Sequence, residues 1–197
     1  IREVYNGAIL RSFHANGASV VFLFAFIHLS RSLYYSSYIY NPNTFISGVI
    51  IFLALMAIAF MGYVLPYGQM SFWGATVITN LLSPFPSVIE FLAGGFNISN
   101  PTIKRFFVFH FVLPFVVLAI VILHLFYLHY LSSTNPLRFS TNNKIPFFPY
   151  LILKDTFSLM IVLAGYFLQC HFGLLTLSHP DNSLEANPLV TPLHIVP

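Results

Sequence analysis

Four histidines in this chain stand at one repeated interval. His14 and His28 are fourteen residues apart, and so are His110 and His124. On an α-helix fourteen residues make nearly four turns, which returns a side chain to almost the same face about 21 Å further along. Two such helices running in the same direction would set His14 opposite His110 and His28 opposite His124. Two imidazoles facing across a bundle form the axial pair of a six-coordinate haem iron. A histidine hydrogen-bonded inside a helix bundle is the plainer reading of any one of them. Ionisable groups at membrane depth are costly, however, and point toward function. Zinc suits the pattern less well, since no pair lies within one or two turns and no carboxylate or thiolate accompanies them.

Other residues fall into the same frame. Gly48 and Gly62 are also fourteen apart, and a missing Cβ lets a flat ring approach the backbone; ordinary small-residue helix packing is the alternative. Ala15, Gly17, Ala18 and Ser19 thin the chain beside His14 in the same way. Arg11 precedes His14 by three and Arg31 follows His28 by three. Each cation is placed to meet a haem propionate, or simply to snorkel to a membrane face. His129 and Asp155, with Lys154 beside it, fall at the ends of adjacent predicted helices on one side. A histidine and a carboxylate there could hydrogen-bond quinone carbonyls and pass protons. From these residues alone, a surface ion pair beside a capping histidine is the stronger reading.

The elements that must position these groups are read from composition. The 197 residues are 57% hydrophobic, 18% aromatic and only 7% charged, too few charges to cover a water-exposed surface. The bilayer is the natural solvent. A formal charge of +3, scattered along the chain, gives no basic patch for nucleic acid. The one cysteine, Cys170, excludes an internal disulfide and a thiolate metal cluster. Residues 12–30, 32–89, 106–137 and 156–180 lack Asp, Glu, Lys and Arg, and about 20 residues cross the hydrocarbon as a helix. With Asn41-Pro42-Asn43 and Leu65-Pro66-Tyr67-Gly68 as breaks, transmembrane helices are predicted near 13–36, 45–64, 105–130 and 156–176. Short surface helices are predicted over about 69–90, and a terminal loop over 177–197. The expectation is an all-α integral membrane helical bundle forming a single domain over 1–197, an incomplete two-haem four-helix bundle. Lys and Arg are balanced between the two sides, so orientation stays open.

Several local runs resemble the cytochrome b family. His14-Ala15-Asn16-Gly17-Ala18-Ser19 leading to Arg31-Ser32-Leu33-Tyr34-Tyr35 is similar to the family's second transmembrane helix. The run from Gly62-Tyr63-Val64-Leu65-Pro66-Tyr67-Gly68-Gln69-Met70 through Trp73-Gly74-Ala75-Thr76-Val77-Ile78-Thr79-Asn80 resembles its third helix and the surface helix after it. Arg105-Phe106-Phe107, His110-Phe111 and Leu113-Pro114-Phe115 look like the fourth. Asn135-Pro136, Ile145-Pro146-Phe147, Lys154-Asp155, His179-Pro180-Asp181-Asn182 and His194-Ile195-Val196-Pro197 follow in family order. The likeness covers essentially the whole chain.

That resemblance implies a specific assignment. His14 and His110 would ligate the low-potential b-type haem near the outer side, and His28 and His124 the high-potential haem near the matrix side. Arg11 and Arg31 would meet propionates, and Gly48 and Gly62 would flank the rings. Quinol oxidation would draw on Met61, Tyr63, Gly74, Ala75, Val77, Ile78 and Pro197, and quinone reduction on His129, Ser133, Lys154 and Asp155. The function implied is that of the electron-transfer subunit of ubiquinol–cytochrome c reductase, complex III of the mitochondrial respiratory chain. It passes electrons from quinol at the outer pocket through two bis-histidine haems to quinone at the inner pocket, coupled to proton translocation. Implied partners are the Rieske iron–sulfur protein, a cytochrome c-type subunit, other complex III subunits, membrane lipid and a second copy in a dimeric complex. The implied location is the mitochondrial inner membrane, as a multi-pass protein.

The sequence departs from the family pattern in places. Pro66-Tyr67-Gly68-Gln69 stands for Pro-Trp-Gly-Gln, Ser132-Ser133-Thr134-Asn135 for Gly-Ser-Asn-Asn, and Arg138 for a common glycine. The segment between Pro86 and Gly94-Gly95 is shorter than usual, and with Pro101-Thr102-Ile103-Lys104-Arg105 it resembles apicomplexan members. The chain opens at Ile1-Arg2-Glu3 and closes at Pro197, as expected of one cut at both ends. The first bundle helix and the glutamate of the Pro-Glu-Trp-Tyr motif would then lie outside it, leaving no catalytic acid and the fragment alone inactive. Another two-haem transmembrane cytochrome would explain the histidine pairs but not the run from Gly62 to Asn80. A polytopic proton transporter or channel subunit would use the histidines as a proton path without haem.

Overall fold

Long uncharged runs with no competing polar partner for the backbone can satisfy their peptide groups in apolar surroundings only by closing helical hydrogen bonds. The structure, a computed structural model, describes residues 3–95, 97–133, 135, 137, 143–172 and 178–195. Its elements in order are α1 (Gly7–Tyr34), α2 (Ser37–Tyr40), α3 (Pro42–Val64), α4 (Gln69–Leu81), α5 (Pro86–Ala93) and α6 (Asn100–Leu131). A π-helical turn, Phe147–Leu151, leads into α7 (Ile152–Phe172), and a 3-10 turn spans Pro180–Ser183. The protein is all-α; among the described residues the only extended pairing is an isolated antiparallel bridge between Gly68 and Glu185. Helices over Gly7–Tyr34, Pro42–Val64, Asn100–Leu131 and Phe147–Phe172 are long and apolar enough to cross a membrane. Phe111, Phe115, Ile122, Phe126, Phe157 and Ile161 are exposed along these helices. Apolar faces of that extent find stable neighbours in lipid or in partner helices.

The helices run past the apolar stretches that predicted them. Arg11 lies inside α1, Lys104 and Arg105 inside α6, and Lys154 and Asp155 in the first turn of α7. Backbone hydrogen bonding does not stop where the side chains become charged, and Asp155 is favoured by the positive end of the helix. Pro114 sits within α6, which continues through it, as membrane helices tolerate. The predicted surface segment is two helices, α4 and α5, joined through Ser83-Pro84-Phe85 and extending to Ala93.

The chain divides into two compact units. The first comprises Ile1–Phe45 and Leu128–Ser178. In it α1 packs antiparallel on α7: the Tyr166 hydroxyl donates to the Phe13 carbonyl at 2.6 Å, and Ser12 Oγ donates to the Cys170 carbonyl at 3.2 Å. Asn41, buried, donates to the Ser132 carbonyl at 3.4 Å and accepts from Thr44 Oγ1 at 2.8 Å.

The second unit comprises Ile46–Tyr127 and His179–Pro197, and it holds a core of Met61, Val64, Phe72, Ala75, Ala93, Ile98 and Phe106. Thr102 Oγ1, fully buried, donates to the Ala93 carbonyl at 2.6 Å and accepts from the Ser99 amide at 3.0 Å, tying the end of α5 to the start of α6. The Arg105 guanidinium donates to the Phe91 carbonyl and lies 5.6 Å from the Phe91 ring centroid.

Candidate haem-ligand face and quinone-site residues

In the second unit α3 and α6 run antiparallel, and their two fourteen-residue intervals fall into register. A Cβ built at Gly48 would lie 3.1 Å from His124 Cε1. A Cβ built at Gly62 would overlap His110 Cε1 and lie 2.9 Å from its Nδ1. Each glycine of α3 therefore opens space that an α6 imidazole uses. His110 Nδ1 is 2.8 Å from the Ile58 carbonyl oxygen. A carbonyl only accepts, so Nδ1 carries a proton, which leaves Nε2 as the nitrogen that can ligate a metal. His124 Nδ1 is 2.9 Å from Ser47 Oγ, a buried hydroxyl able to accept in the same way. Metal-binding histidines are held by such second hydrogen bonds. Ser47 and the Ile58 carbonyl were not foreseen from sequence, where no interval singles out either.

The donor set suits a metal that brings its own equatorial ligands. Among the described residues, no three His, Cys, Asp or Glu side chains gather into a group able to hold a bare ion. A porphyrin iron needs only two axial imidazoles, and each α6 imidazole is seated against a glycine of α3 with its Nδ1 at a fixed polar partner. These residues fit haem.

On α1, in the first unit, His14 and His28 are exposed. Arg31 Nη2 donates to His28 Nδ1 at 3.2 Å, one turn away; Arg11 is half-buried. The small-residue run after His14 also carries helix contacts. Gly17 admits the Tyr166 hydroxyl of α7, 3.3 Å from where its Cβ would be, and Ser19 Oγ turns back to the Ala15 carbonyl at 3.5 Å. Gly17 thus serves close helix packing, which sequence spacing alone does not distinguish from room for a cofactor.

The expected quinone-reduction residues all lie in the first unit. His129 is in the last turn of α6, Ser133 follows Ser132 just beyond the helix end, and Lys154 and Asp155 open α7. All four are exposed, and among the described residues no hydrogen bond or ion pair joins one to another. The expected quinol-oxidation residues lie in the second unit. Met61 and Ala75 belong to its core, Gly74 is buried, Ile78 is half-buried and Val77 is exposed. Tyr63 donates to Asn182 Oδ1 at 2.7 Å. Pro197 lies outside the described residues. Tyr67, where the family pattern has tryptophan, packs edge-on to Phe72 with centroids 6.0 Å apart and donates to the Ile98 carbonyl at 3.3 Å. Burial holds its phenol above the usual tyrosine range.

Comparison with known proteins identifies the family and the fold. The family model described as cytochrome b/b6/petB matches residues 1–132. Over its whole length the chain is 53% identical to cytochrome b of Plasmodium berghei, covering 52% of that protein. It is 52% identical to cytochrome b of Toxoplasma gondii, covering all of this chain and 54% of that protein. At 50% identity it also covers 53% of cytochrome b of Cyanidium caldarium. The chain thus spans about half the length of these relatives. A solved hyperthermophilic respiratory Complex III matches with a TM-score of 0.90 at 29% identity, over 99% of this chain and 55% of that one. The chain belongs to the cytochrome b/b6 family.

Proposed function

We propose that this chain is the haem-carrying, quinone-handling part of a ubiquinol–cytochrome c oxidoreductase, in which it transfers electrons within a mitochondrial inner membrane and contributes to proton translocation. The observation that carries the reading is the doubled register of α3 and α6, in which Gly48 meets His124 and Gly62 meets His110. Equal spacing of two histidines and of the two gaps beside them is what two stacked haems require, and the family supplies the same expectation. Bound haem supplies reversible one-electron chemistry at iron.

The chain's own residues have distinct tasks. By sequence order, His14 with His110 and His28 with His124 would each hold one haem iron. The Ile58 carbonyl accepts from His110 Nδ1 and the Ser47 hydroxyl lies at His124 Nδ1, which would leave each Nε2 available to ligate iron. Arg11 and Arg31 neutralise propionate carboxylates. Met61, Tyr63, Gly74, Ala75, Val77, Ile78 and Pro197 contribute to a quinol-oxidation pocket. His129, Ser133, Lys154 and Asp155 contribute to a quinone-reduction pocket, where His129 and Asp155 exchange protons with quinone oxygens. The partners are a Rieske iron–sulfur protein, a cytochrome c-type subunit and a second copy of the complex.

The test uses the complete subunit in its membrane complex, with each of the four histidines replaced singly by leucine. Reduced-minus-oxidised spectra should lose one low-spin haem signal per variant. His14 and His110 should share one signal, and His28 and His124 the other. Retention of both signals in all four variants refutes the assignment.

A further inference from the structure

The segment after Asn182 is held on the start of α4 more by hydrogen bonds than by apolar packing. Leu184 and Val190 are exposed and Leu189 is 91% exposed, while Ala186 touches the core. Gln69, the first residue of α4 and only 6% exposed, reaches this segment through three groups. Its amide donates to the Leu184 carbonyl at 2.9 Å. Its Oε1 accepts from the Asn187 amide at 2.7 Å, and its Nε2 donates to the Val190 carbonyl at 2.5 Å. A buried carboxamide satisfied at both ends fixes its partners more narrowly than an apolar contact does, because leaving either end unpaired is costly. Trp73 Nε1 adds a bond to the Asn187 carbonyl at 3.2 Å. α4 also carries Gly74, Ala75, Val77 and Ile78, and α3, which precedes it, carries Met61 and Tyr63.

We propose that Gln69 is a positioning residue for quinol oxidation: it fixes residues 184–190 against α4 and so sets how tightly the pocket on α3 and α4 holds quinol. The inference rests on the quinol-oxidation reading above. Gln69 touches neither quinol nor haem and acts through the segment it holds.

The experiment compares wild type, Gln69→Leu and Gln69→Glu in the complete complex, measuring haem content and steady-state oxidation of a short-chain ubiquinol. Gln69→Leu removes both side-chain bonds and should raise the quinol KM about tenfold, with kcat within about twofold and both haem signals intact. Gln69→Glu keeps the acceptor for Asn187 but sets a carboxyl oxygen against the Val190 carbonyl, and should raise KM at least about threefold. An unchanged KM in haem-loaded Gln69→Leu overturns the proposal, as does activity that falls only in proportion to haem. Should Gln69→Leu assemble without haem, Gln69→Glu decides: a raised KM supports the proposal and an unchanged one overturns it. A wild-type complex whose haems are not reduced by ubiquinol would instead refute the quinol-oxidation reading itself.

Discussion

Adding one methyl group at Gly62 should damage haem binding far more than adding one at Gly48. At Gly62 the new Cβ would overlap His110 Cε1 and stand 2.9 Å from Nδ1 and 3.1 Å from Nε2. The ring cannot swing aside freely, because Nδ1 is tied to the Ile58 carbonyl at 2.8 Å. Overpacking costs roughly 1–3 kcal/mol and the lost hydrogen bond about 1 kcal/mol. A total of about 2–4 kcal/mol, placed on the ligand itself, weakens affinity roughly 30- to 900-fold. At Gly48 the nearest atoms are His124 Cε1 at 3.1 Å and Nδ1 at 3.6 Å, which a shift of a few tenths of an ångström relieves for about 1 kcal/mol. The assay is haem content per polypeptide with reduced-minus-oxidised spectra of the complete subunit carrying Gly62→Ala or Gly48→Ala. Gly62→Ala should lose the signal that His110→Leu loses, and Gly48→Ala should keep both. Wild-type haem content in Gly62→Ala, or equal damage from Gly48→Ala, would refute the reasoning.

Ser47→Ala should raise the midpoint potential of the haem assigned to His124 by on the order of 20–40 mV, read by redox titration. A ligand that loses a hydrogen bond at Nδ1 donates less charge to ferric iron, and about 0.5–1 kcal/mol of differential stabilisation corresponds to that range for one electron. Tyr67 gives an alkaline signature: its folded phenol titrates above the ordinary 10.0, so the unfolded chain loses this proton first. Stability from that difference is complete below about pH 10 and declines as pH rises toward the folded value; Tyr67→Phe should shrink the alkaline decline in thermal unfolding scans. Arg105→Met removes the cation at the carbonyl end of α5 and its stacking on Phe91. It should cost about 1 kcal/mol, seen as faster proteolysis between residues 91 and 99.

Most of the helical architecture was legible because a membrane span is a property of composition: 20 uncharged residues in a row have few folded alternatives. Helix ends were less legible, since Lys104, Arg105, Lys154 and Asp155 mark where side chains turn polar rather than where backbone bonding ends. The histidine and glycine intervals were visible because helical periodicity converts spacing into facing. Ser47 and Gln69 were not singled out, because nothing local announces a hydroxyl or carboxamide whose partner lies 77 or 118 residues away. Gly17 has a similar limit: a missing Cβ shows that something comes close, and only the fold shows that Tyr166 does.

The shared register of α3 and α6 also restricts how this chain can vary in length. One residue inserted between Gly48 and Gly62 would turn one glycine about 100° away from its imidazole, and no substitution at the other end restores it. Insertions and deletions are therefore confined to connections such as 82–85 and 94–99, outside the two matched intervals. Among relatives the two fourteen-residue spacings should persist while those connections change length, so that a gap falling inside either interval marks a copy no longer under selection for both sites.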